Sequence, residues 1–138
     1  MEVMFESRWP GYGWLFDGTN GFFRESPSAV KHMVPPVDVT EDKDTYHFYF
    51  DMPGLKSESL DARVEEGWLT IAAERKRPEW SNETEILMAE RGYGTIRRTF
   101  ELPNDASRDK IQAGYKDGVL EVTVEKKPEA ESTKILIN

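Results

Sequence analysis

Apolar and polar side chains alternate strictly along residues 45–52. Tyr46, Phe48, Phe50 and Met52 fall on one face, and His47, Tyr49 and Asp51 on the other. A period of two marks a strand with one buried face. The same period recurs downstream. Leu60, Ala62 and Val64 alternate with Asp61, Arg63 and Glu65. Leu69, Ile71 and Ala73 share a face within residues 68–74, and Ile96, Arg98, Phe100 and Leu102 share one within residues 96–102. Leu120, Val122 and Val124 do the same within residues 119–125, and residues 110–115 supply their hairpin partner. Val37-Asp38-Val39 follows Pro35-Pro36, a pair that stiffens the approach. Pro53-Gly54, Glu66-Gly67 and Asp117-Gly118 punctuate the runs, and Asp-Gly between two β runs is a strong hairpin signal. Short alternating strands with a turn about every ten residues predict an all-β protein, an immunoglobulin-like antiparallel β-sandwich. No long helix is predicted. Residues 106–110 are read as a turn of helix.

Two segments break the period. Residues 1–34 carry Phe5, Trp9, Tyr12, Trp14, Phe16, Phe22 and Phe23, interleaved with Gly11, Gly13, Gly18 and Gly21. Glycine keeps the backbone loose while the rings carry large adhesive area. The arm either folds onto the domain as a satellite core or forms an adaptable apolar surface. Residues 128–138 form a polar tail that ends in Ile135-Leu136-Ile137. An apolar plug on such a tail suits docking to another surface. The seven extended residues before it reach roughly 23 Å at about 3.3 Å each, enough to cross to a neighbouring subunit. The division expected is therefore an arm (1–34), a β-sandwich (35–127) and a tail (128–138).

The connection between the strands near Arg75 and Gly94 spans about twenty residues, long for a compact domain. It is charged, yet carries the apolar triplet Ile86-Leu87-Met88. This patch either folds back or pairs with an edge strand of a second subunit, and exchange satisfies its backbone better.

Composition narrows the chemistry. The chain has 138 residues, no cysteine, and 18 basic against 26 acidic side chains for a net charge of −8. Disulfides and thiolate metal sites are excluded. The acidic balance argues against nucleic acid or an anionic membrane as main partner. No run approaches the roughly 18 apolar residues of a membrane span, and the acidic opening Met1-Glu2 does not read as a secretory signal, so a cytoplasmic location is expected. His32 and His47 are the histidines; His47 shares a strand face with Tyr49 and reads as a surface residue. Ser57, Ser59 and Ser81 lack a nucleophile-elbow context. No enzyme, metal or cofactor is expected, and no phosphate-cradling glycine-rich loop with lysine is present.

Several motifs, in order, resemble one family. Pro53-Gly54 follows an aromatic strand. The run from Gly94 to Pro103, Gly-Thr-Ile-Arg-Arg-Thr-Phe-Glu-Leu-Pro, is similar to a signature strand in which phenylalanine stands where Ile96 does here. Ala113 and the following Asp117-Gly118-Val119-Leu120 resemble its hairpin, and Ile135-Leu136-Ile137 its C-terminal anchor. The chain resembles the small heat shock proteins, the α-crystallin domain family, in its bacterial, archaeal and plant branch. The resemblance implies an ATP-independent holdase that binds partly unfolded proteins and assembles from strand-swapped homodimers into larger homo-oligomers. It implies that Ile135 and Ile137 dock in a groove between the strand with Leu60, Ala62 and Val64 and the one with Ile111 and Ala113. It assigns Ile86, Leu87, Met88 and Arg98 to the dimer interface. By pattern alone Arg98 is an inward charge guarding a sheet edge; the family suggests pairing with an acid of its own or the partner subunit, with Glu83, Glu85 and Glu90 as candidates. The competing readings are a monomeric or dimeric adaptor domain and a shell-forming structural protein.

Overall fold

Two antiparallel sheets face each other in the computed structural model, which describes residues 32–128 and 134–138. The strands are β1 (Val37–Glu41), β2 (Thr45–Asp51), β3 (Leu60–Glu65), β4 (Trp68–Arg75), β5 (Gly94–Glu101), β6 (Ala106–Lys116) and β7 (Val119–Lys126). One sheet has the order β1-β2-β7-β6 and the other β3-β4-β5. The only helical element among the described residues is a single 3-10 turn, Ser57–Ser59.

The alternating faces meet between the sheets. Tyr46, Phe48, Phe50 and Met52 oppose Leu69, Ile71, Ala73, Ile96, Phe100 and Leu102, and Leu120, Val122 and Val124 complete the core. Register explains why the faces agree: Phe48 pairs with Val122 and Phe50 with Leu120, so inward residues sit side by side across the ladder. Phe48 and Phe50 each lie about 6 Å from Phe100, a tilted contact that joins the sheets.

Both two-residue hairpins are closed by an acid and a glycine at positive φ. Glu66 and Gly67 have φ of 50° and 84°, and Asp117 and Gly118 have 54° and 79°. This is the turn whose twist matches the flanking strands. At Gly118 space adds a second constraint, because a Cβ there would lie 3.3 Å from the Pro53 Cβ. Gly118→Ala is therefore expected to lower stability by about 1–2 kcal/mol through left-handed strain. A urea midpoint equal to wild type would count against this account.

The helical turn expected at residues 106–110 does not form. This segment opens β6, with Ala106 paired to Lys126 before the register shifts and resumes at Ile111. The buried Ser107 hydroxyl accepts from the amides of Asp109 and Lys110, at 3.4 and 3.1 Å, and donates to the Asp109 carboxylate at 2.6 Å. That hydroxyl stabilises a β-bulge where the composition suggested a helix. The same hydrogen bond holds the Asp109 carboxyl below its usual pKa. Polar clamps close the ends of the sandwich. Tyr46 donates to Asp105 at 2.7 Å, and burial followed by this contact raises its phenol pKa well above the ordinary value. Tyr115 donates to the Met52 carbonyl at 2.7 Å.

Candidate functional site

The sandwich has an open seam. β3 is an outer strand of the smaller sheet and β6 an outer strand of the larger. Between them lies a cavity of about 250 Å³, lined by Ala62, Arg63, Val64, Leu69, Arg108, Ile111, Gln112 and Ala113. Val64 and Ile111 are half-buried against the core, whereas Ala62 and Ala113 are exposed. Small residues at inward-facing positions leave room that larger ones would fill. Leu60 pairs opposite Ala73, packs against the core and stands outside the cavity lining. Arg63, Arg108 and Gln112 add polar lining that the alternation pattern did not single out. Arg108 lay in the segment read as helix, and the strand there turns it toward the Gly67 hairpin. The Arg63 pKa is raised, first by a 2.8 Å hydrogen bond to Asp61.

The tail plug does not fill this seam in the single chain. Ile135, Leu136 and Ile137 are 80%, 83% and 93% exposed. The only other run of three consecutive large apolar side chains exposed among the described residues is Ile86-Leu87-Met88.

The β4–β5 connection forms no strand of its own among the described residues. At its tip Leu87 and Met88 are exposed, as are Ile86 and Trp80. Its base is ordered by rings and guanidinium groups. Arg77 lies 5.2 Å from the Tyr93 ring and 5.9 Å from Trp80, and Arg91 lies 5.5 Å from Tyr93 while donating to its hydroxyl at 2.9 Å. Glu83, Glu85 and Glu90 are exposed and form no ion pair with the described residues, so the chain does not bring them to Arg98.

Arg98 is only 6% exposed. Its guanidinium lies 4.9 Å from the Phe100 ring centroid and donates from Nη1 to the Pro35 carbonyl at 2.9 Å. Met33 adds a one-residue parallel bridge to β5 opposite Ile96, with its amide bonded to the Thr95 carbonyl and its carbonyl accepting from Arg97. The segment leading into β1 is thus fastened across β5 by backbone bonds at Met33 and by the Arg98 side chain at Pro35.

His47 is half-buried on the outer sheet face, with Nε2 3.0 Å from Asp42 and Nδ1 3.8 Å from Glu121. It ties the β1–β2 turn to β7. No group of three or more potential metal ligands occurs among the described residues, and no described helix is long and apolar enough to cross a membrane. The arm aromatics Phe5, Trp9, Tyr12, Trp14, Phe16, Phe22 and Phe23 lie outside the described residues.

Comparison with known proteins agrees with this geometry. The Hsp20/alpha crystallin family model matches residues 38–138. A 17.6 kDa class II heat shock protein of Arabidopsis thaliana is 40% identical over 126 residues, covering 86% of this chain and 81% of that protein. A 17.3 kDa class II heat shock protein of Solanum peruvianum is 45% identical over 100 residues, which is 72% of this chain and 64% of the relative's length. Among solved structures, a small heat-shock protein from Xylella fastidiosa, described as having a distinct high order structure, superposes with a TM-score of 0.70 at 30% identity, covering 78% of this chain and 99% of that one. The sandwich from Asp38 onward, the signature strand through Arg98, and the Asp117-Gly118 hairpin all fall inside the matched span. The chain belongs to the Hsp20/alpha crystallin family of small heat shock proteins.

Proposed function

We propose that the protein is a non-enzymatic, ATP-independent holdase of the cytoplasm, working as a dynamic homo-oligomer built from strand-swapped dimers. The observation that carries this reading is the pairing of an open groove, part apolar and part polar in its lining, with exposed apolar segments on one folded chain. Ile135 and Ile137 match the groove at Ala62, Val64, Ile111 and Ala113 in chemistry, and Ile86, Leu87 and Met88 stand free to pair with a second copy. Unfolding clients expose apolar surface and unpaired strand edges, the features that drive aggregation. The arm, with Phe5, Trp9, Tyr12, Trp14, Phe16, Phe22 and Phe23, supplies rings to cover such patches. The net charge of −8 keeps the resulting complex soluble. In nucleotide-free buffer, equimolar protein is expected to suppress light scattering from a heat-denaturing model enzyme. Undiminished scattering across several clients and temperatures would favour an adaptor or shell-forming role.

A further inference from the structure

Arginines gather at the base of the β4–β5 connection without acids to meet them. A Cβ built on Gly54 would lie 3.5 Å from Arg91 Nη2 and 3.9 Å from Arg75 Nε, so both guanidinium groups rest against the same glycine. Arg75 donates to the carbonyls of Pro53, at 2.6 Å, and Gly92, at 3.3 Å, yet its Nε is buried without a hydrogen-bond partner. Lys76 and Arg77 follow directly in sequence, and Arg77 shares the Tyr93 ring with Arg91. Among the described residues none of these four cations forms an ion pair with a carboxylate. In a chain with 26 acidic residues against 18 basic ones, such a cluster is unusual. Like charges held together, with a buried donor left over, are arranged for an anion.

The acids that fit stand in the same connection. Glu83 and Glu85 are exposed, form no ion pair, and immediately precede the exposed Ile86-Leu87-Met88. We infer that the Arg75–Arg91 pocket beside Gly54 receives Glu83 and Glu85 from a second copy of the chain, so that the crossing connection is held by charge as well as by its apolar triplet. The inference rests on the exchanged dimer proposed above and adds the residues that lock it. A two-fold interface makes the contact twice, since each copy gives its acids and offers its pocket.

Complementary charge reversal tests this. Arg91 is exposed and lies outside the core, so R91E and E83K/E85K are both expected to fold. Each variant alone places like charges in both contacts and is expected to weaken its dimer at least about tenfold. Mixed, they restore opposite charges in both contacts, and native mass spectrometry should show mixed dimers well above the statistical half. A chain without cysteine permits a second measurement. Oxidised mixtures of R91C and E85C, or of R91C and E83C, should give a disulfide-linked pair of chains. Wild-type protein that is monomeric by mass would remove the exchanged dimer and this inference with it. An intact wild-type dimer with statistical mixing and no cross-link would overturn the charge lock while leaving the dimer standing.

Discussion

Replacing Arg98 by glycine is expected to lower the unfolding free energy by about 3 kcal/mol. β5 directs Ile96, Arg98 and Phe100 to the same inward face, so the guanidinium that is lost is a buried one. Loss of the guanidinium leaves the buried Pro35 carbonyl without this donor, a penalty of about 1–3 kcal/mol. It removes a desolvated cation–π contact with Phe100 worth up to about 2 kcal/mol. Glycine in a strand interior adds roughly 0.5–1 kcal/mol of backbone entropy. Water entering the vacated space offsets part of these losses, which is why the total falls below their sum. Arg98→Lys should lie between wild type and glycine, since an ammonium keeps the charge but not the planar fork that bonds Pro35 while facing the ring. Urea denaturation followed by circular dichroism measures the difference. A loss under about 1 kcal/mol would show that the buried guanidinium contributes little net stability. The same substitution is expected to weaken the proposed dimer, because it loosens the strap that carries the chain from the arm into β1; an unchanged dimer dissociation constant would contradict that step.

The sandwich was legible because its strands obey one rule. In β2, β4, β5 and β7 every second residue is apolar, Arg98 of β5 excepted, and those faces are the ones buried. The Glu66-Gly67 and Asp117-Gly118 turns were legible because glycine accepts the positive φ that the turn type demands. Legibility failed where a side chain replaced backbone pattern as the organising influence. At residues 106–110 no period is visible, since a hydroxyl at Ser107 caps a bulge and the ladder to β7 resumes only at Ile111. The Met33 bridge to β5 depends on backbone bonds to Thr95 and Arg97, groups identical in every residue and hence silent in sequence. Parity placed Ala62 with Leu60 and Val64, but it could not say that the two sheets part there; Ala62 lines a cavity while Leu60 packs against the core. The arginines beside Gly54 were hidden for a related reason. Residues 54, 75 and 91 are far apart in the chain and meet only because the start of the β2–β3 loop passes beneath the end of β4.

The tail makes the larger claim on assembly. Ile135→Ala combined with Ile137→Ala is expected to reduce the native species to dimers or small oligomers. In an extended segment residues 135 and 137 point to one side and Leu136 to the other, so the two isoleucines would enter the proposed groove together. Burying each contributes about 1.5–3 kcal/mol. Ordering the tail costs a comparable amount, at roughly 1–2 kcal/mol per residue for backbone alone. A single docked tail is therefore weak, and the exposure of Ile135 and Ile137 in the isolated chain is in keeping with that balance. Assembly changes the arithmetic. Once one tail holds two dimers together, the next binds at high effective concentration, and a closed set of weak contacts becomes stable while each contact still opens. Removing both isoleucines subtracts the favourable part at every contact and leaves the ordering cost, so the effect on mass should be all-or-none in character. Leu136→Ser supplies the contrast: it alters the opposite face and should leave the assembly unchanged. Filling the groove from the other side, with Ala113→Trp, should reproduce the tail phenotype, because Ala113 is exposed and lines the cavity. Sedimentation of the variants decides the matter, and a double isoleucine variant that sediments with wild type would exclude the tail as the link between dimers.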